Sequence, residues 1–252
     1  MDSSEEHPRP RTDIVHRAQH MAKDAGQLLP GWLQPGNQES RWPVLVALIV
    51  AILMQRVIPV RYTVVPRWPL ITMEALLVVV LLIINPVRLT RSTKVGAVAS
   101  VLLLAAITID NSASAVVLDY NIVTGKVSNN PAVLLGSGAA VFITNIIVFG
   151  VWYWEMDLGG PFTRAAPLDE RNPKRRYPDF LFPQMDVRHV APDQWEPRFL
   201  DYLYVSITNV MAFSPTDTMP LTHRAKAMMS VQALVAVSTI ALVFARAVNV
   251  LH

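Results

Sequence analysis

The apolar residues of this chain are gathered into long, nearly unbroken blocks, and this limits the fold more than any other feature. The blocks run Pro43 to Pro59, Pro69 to Val87, Val95 to Ile109, Pro131 to Trp154 and Lys226 to Leu251. A helix crossing roughly 30 Å of hydrocarbon needs about 20 mostly apolar residues. Apolar residues repeating at period 2 or 3.6 would mark one buried face, whereas blocks apolar all round mark helices that meet lipid. Composition agrees: 52% of the residues are hydrophobic and 16% charged, and the mean hydropathy is +0.33. A lipid bilayer is therefore the expected partner.

The net charge is only +3. Lys and Arg in the short links of such a chain set orientation rather than bind nucleic acid. With no cysteine, disulfides, thiolate catalysis and Cys-based metal sites are excluded. Residues 1–40 hold Glu5, Glu6, Arg9, Arg11, Asp13 and three histidines, with no apolar core of a signal peptide. The first membrane helix is expected to serve as an uncleaved insertion signal.

The chain divides into four regions. Residues 1–40 are a polar tail ending in Pro30, Gly31, Pro35 and Gly36. Residues 41–155 hold four helices, opened by Arg41-Trp42-Pro43 and closed by Trp152, Tyr153 and Trp154, an interfacial aromatic pattern. Gly136 to Ala140 (GSGAA) is a small-residue patch that lets helices approach closely. Residues 156–198 are Pro-rich and carry Lys174, Arg175 and Arg176, so they read as an extramembrane connection. Within them Pro178 to Met185 is apolar enough to dock on the membrane or on another loop. Residues 199–252 hold a short apolar segment, a polar turn and a final helix.

As a helix, Phe199 to Phe213 spans only about 22 Å, which suits a short or re-entrant segment better than a full span. Ser214-Pro215-Thr216-Asp217 then breaks helix. Met219-Pro220-Leu221-Thr222 leads out, and His223, Arg224 and Lys226 mark an interface. This order of parts resembles the pore module of tetrameric cation channels: a pore helix, a filter near T-V-G-Y-G-D, a Pro-containing exit and an apolar inner helix. The resemblance places Thr208 and Asn209 at pore-helix positions, Ala212 to Thr216 in the filter, Asp217 after it, and Pro220 and Thr222 in the exit. It implies a polar passage lined by Thr208, Asn209, Ser214, Pro215, Thr216 and Asp217, passing monovalent cations in a homo-oligomer. Ser214 and Thr216 stand where the filter glycines belong, so potassium selectivity is not implied. Taken whole, the chain is similar to an uncharacterised family of bacterial integral membrane proteins, through YWEMDLGGP, YPDFLFPQM and AFSPTD. That similarity implies a multi-pass place in the bacterial cytoplasmic membrane.

Polar groups inside the apolar blocks form a second set of candidates. Asp110 lies about 22 Å along a helix that starts at Val95, with Asn111, Ser112 and Ser114 beside it. Either it is an intramembrane functional group or the helix surfaces early. Asn145 and Gln232 read as interhelical hydrogen-bonding residues. Glu74, Arg56 and Arg246 lie near helix ends and read as snorkelling side chains. His16 and His20, four apart in the tail, read as solvated rather than metal-binding, so no metal or other cofactor is expected. HExxH, GxSxG and P-loop patterns are absent, and no enzyme activity is expected.

The sequence thus predicts an all-α, polytopic transmembrane bundle of five to six segments, the fifth short or re-entrant. The leading function is a channel-like or transport protein for cations, and the alternative is a non-conducting membrane scaffold. Counting basic residues places the tail, the Arg88 to Lys94 link and the Lys174 to Arg176 loop on the cytoplasmic side. A pore entered from outside needs that last loop outside.

Overall fold

A computed structural model describes residues 39–63, 67–84, 94–127, 130–165, 177–187, 195–212 and 217–251. They build helices α1 (Trp42–Met54), α2 (Arg67–Ile84), α3 (Lys94–Val123), α4 (Pro131–Met156), α5 (Pro161–Ala165), α6 (Pro183–Asp186), α7 (Phe199–Met211) and α8 (His223–Leu251). The one described sheet pairs strands β1 (Phe180–Leu181) and β2 (Met219–Pro220) antiparallel, with Phe180 opposite Pro220. The all-α expectation holds.

Three described helical stretches are long and apolar enough to cross a membrane: Val98–Val123, Pro131–Gly159 and His223–Val250. The apolar block expected to reach Pro59 is helical only to Met54, giving 13 residues, and a turn and a 3-10 helix (Val60–Tyr62) complete it. The helix stops where Gln55 turns inward to a polar partner and Pro59 approaches. α2 adds 18 residues over the second block.

α4 is the central post. It starts on a sequence signal, with the Asn130 side chain accepting from the Ala132 amide at 2.9 Å and Pro131 in the first turn. α1, α3, α7 and α8 all pack on it. Two glycines permit this. A Cβ on Gly138 would lie 2.8 Å from the Val243 side chain, and one on Gly150 would lie 3.1 Å from the Leu203 Cα. Outward faces stay apolar, with Ile49, Leu102, Ile109, Leu234 and Phe244 exposed, as lipid-facing surfaces require.

The register of α3 on α4 is set by the Trp152 indole, which donates to Thr108 Oγ1 at 2.9 Å. Helices running antiparallel from that point bring Ser114 and Asn145 to a similar depth, each about 10 Å further on.

The described parts of the 156–198 connection hold more structure than a Pro-rich loop suggests. Besides α5, α6 and β1, it supplies Phe180 and Phe182 to an aromatic cluster with Tyr153, Trp195 and Tyr202, ring centroids 5.1–6.3 Å apart. These rings seal one end of the bundle.

Candidate functional site

α7 and the residues after it occupy the region that resembles a pore module. The Phe199 amide, at the start of α7, donates to Glu39 Oε1 at 2.7 Å. One turn on, the Tyr202 hydroxyl donates to Asp157 Oδ2 at 2.6 Å, just beyond the end of α4. α7 then runs inward for 13 residues, about 20 Å, and stops. Its inner face carries Tyr202, Val205, Ser206, Asn209 and Val210, and its outer face exposes Leu200, Tyr204, Ile207 and Met211.

The chain then returns to where it came in. β2 pairs with β1, and the Leu221 amide donates to the Asp179 carbonyl at 2.8 Å. Asp179, fully buried, accepts from Thr222 Oγ1 and from Arg224, whose Nε lies 2.6 Å away. Arg224 Nη2 also reaches the Met156 carbonyl at 3.5 Å. Both ends of the 199–222 segment are therefore held at the C-terminal end of α4. From there α8 runs back through the bundle.

Asp157 organises this end. Its Oδ1 accepts from the Asp179 amide at 2.6 Å, and its backbone carbonyl accepts from Arg164 Nη1 at 2.9 Å. Arg164 also bonds the Trp154 carbonyl at 2.9 Å and lies over the Tyr202 ring. The turn that aims Asp157 inward needs positive φ at Leu158, Gly159 and Gly160. A Cβ on Gly160 would meet the Glu155 carbonyl oxygen at 2.9 Å, so the two glycines of the EMDLGGP string are backbone requirements.

Deeper in, α4, α7 and α8 share a polar knot. Gln232 Oε1 accepts from the Tyr153 hydroxyl at 2.6 Å and from Asn209 Nδ2 at 2.8 Å. Gln232 Nε2 donates to Ser206 Oγ at 2.6 Å and to the Ser206 carbonyl at 3.2 Å. Asn209 further donates to the Met229 carbonyl at 3.0 Å, and Asn145 Nδ2 to the Gln232 carbonyl at 3.4 Å.

The predicted passage residues thus divide. Asn209 faces the knot, not an open channel. Thr208 Oγ1 lies 3.0 and 3.1 Å from the carbonyls of Tyr204 and Val205 on its own helix. Asp217 is exposed just before β2. Ser214, Pro215 and Thr216 lie outside the described residues, as do the tail histidines and Lys174 to Arg176.

A second polar group lies across α1, α2 and α3. Asp110 and Asn111 are buried among the helices. Glu74, read as snorkelling, is instead fully buried, and its Oε1 accepts from Gln55 Nε2 at 3.3 Å. It sits two turns inside α2, because that helix starts at Arg67, earlier than expected. Buried side-chain oxygens without a hydrogen-bond partner among the described residues include Glu74 Oε2, Asn111 Oδ1, Ser114 Oγ, Thr144 Oγ1 and Asn145 Oδ1. Among those residues no three His, Cys, Asp or Glu side chains gather as a metal site.

Gln55, Tyr153, Asp157, Asp179 and Tyr202 carry no signal of their roles in the sequence, because each owes its role to a partner distant along the chain. The strings holding Asp157 and Asp179 are distinctive only as strings. No protein-family model, curated protein sequence or solved structure matches this chain.

Proposed function

We propose that this chain is one subunit of an oligomeric, channel-like membrane protein that passes small cations along the polar sequence Ser214-Pro215-Thr216-Asp217. The observation behind this reading is the path of α7. The segment goes partway in, turns, and returns to the end of α4 beside the start of α8. A re-entrant helix, turn and full-length helix are the parts from which a pore is assembled around an axis. Non-helical backbone at such depth is tolerated only inside protein or along a water-filled cavity. The exposed face of α7 (Leu200, Tyr204, Ile207 and Met211) suits burial against a neighbouring subunit. The bacterial cytoplasmic membrane is the setting in which we place it.

The other reading is a non-conducting scaffold, favoured by the knot at Gln232, which uses the inward polar groups of α7 as interhelical bonds. Purified protein in liposomes decides between them. A channel gives monovalent cation flux down an imposed gradient, and Asp217→Ala changes its rate or selectivity. Absence of flux for potassium, sodium and protons at every gradient leaves the scaffold.

A further inference from the structure

We propose that Glu74 is a proton-binding site inside the bundle, holding one exchangeable proton on the carboxyl oxygen that Gln55 leaves unmatched. This site is in α1–α3, apart from the C-terminal module, and stands whether or not that module conducts.

The geometry is that of a carboxylate only half provided for. Glu74 has no exposed surface, and Gln55, its hydrogen-bond partner, is buried too. One oxygen receives a single long bond of 3.3 Å from Gln55. The other receives none among the described residues. An ionised carboxylate needs donors on both oxygens when water is excluded. A bound proton removes the charge and turns the unmatched oxygen into a donor.

The charged group near Gln55 is Arg56, whose guanidinium sits 5.1 Å over the Trp68 ring at the start of α2 and is exposed. Gln55 itself is neutral.

A hydrophobic carbodiimide tests this on the intact native protein. It adds to a protonated carboxyl and rearranges to a stable N-acylurea without losing an atom, and peptide mapping by mass spectrometry locates the adduct. Glu74 is expected to carry it at neutral pH, with modification lost as pH rises. In Glu74→Gln no adduct is expected at this position. In Gln55→Leu the donor that favours the ionised oxygen is gone, and the loss moves to higher pH. An unmodified Glu74 in native protein across the whole pH range overturns the proposal. So does a native profile that Gln55→Leu leaves in place. Labelled Glu74 in protein without cation flux removes the channel reading and keeps this site.

Discussion

Single side chains at the closed end of the bundle should differ in weight according to what remains when they are cut back. Tyr202→Phe removes the one hydroxyl donor to Asp157 Oδ2 among the described residues, an oxygen of a fully buried residue. An unsatisfied buried acceptor costs about 1–3 kcal/mol, more if charged. Tyr153→Phe removes one of two donors to Gln232 Oε1, and Asn209 stays in place, so its cost is nearer about 0.5–1.5 kcal/mol. Thermal melting in one detergent should rank Tyr202→Phe as the more damaging, and the reverse order contradicts the assigned partners. At this scale the sequence exposed candidates but not their partners. Gln232 and Asn145 stand out as polar residues in apolar helices, which marks them for interhelical bonding. That Gln232 meets Tyr153, Ser206 and Asn209 results from three helices meeting at one depth. The burial of Glu74 was hidden for the same reason: its environment is set by α1 and α3, not by its distance from a helix start.

For whole elements, the contact of α4 with α8 depends on the absence of a side chain at Gly138. Gly138→Ala pushes a methyl into the branched Val243 side chain, whose Cγ atoms would lie 2.8 and 2.9 Å away. Overpacking of this kind typically costs about 1–3 kcal/mol, so a drop of that size is expected. Adding Val243→Ala removes the obstructing atoms and should restore part of the melting temperature, which a defect confined to helix propensity would not allow. Helix existence was legible in the blocks themselves, and Asn130-Pro131 marks the start of α4 both in sequence and in structure. Other features were not legible. The early end of α1 depends on Gln55 finding Glu74 across the bundle. The β1–β2 ribbon joins two short segments on opposite sides of α7 in sequence, and neither alternates strongly enough to announce a strand.

At the scale of the molecule, the path of α7 predicts a sidedness that can be measured directly, because the native chain has no cysteine. Tyr177 and His223 are both exposed at the end where α4 closes, and Lys126 is exposed beyond the opposite end of α3. Single cysteines at Tyr177 and His223 should react with an impermeant thiol reagent from the same side of a sealed vesicle, and one at Lys126 from the other. Reaction of Tyr177→Cys and His223→Cys from opposite sides means that α7 crosses the membrane, and the re-entrant path is then wrong. By itself the sequence determined that this chain puts long apolar helices into lipid and that its C-terminal quarter breaks that pattern with a polar turn. Transfer of about 20 apolar residues is favourable segment by segment, with no need of a partner. The tertiary structure alone decided that the segment after α7 turns back and that Asp157 and Gln232 have their bonds filled. It also decided that Glu74 lies buried with one oxygen unmatched. Each of these depends on groups far apart in sequence, brought to one depth by helix packing, which no local pattern records.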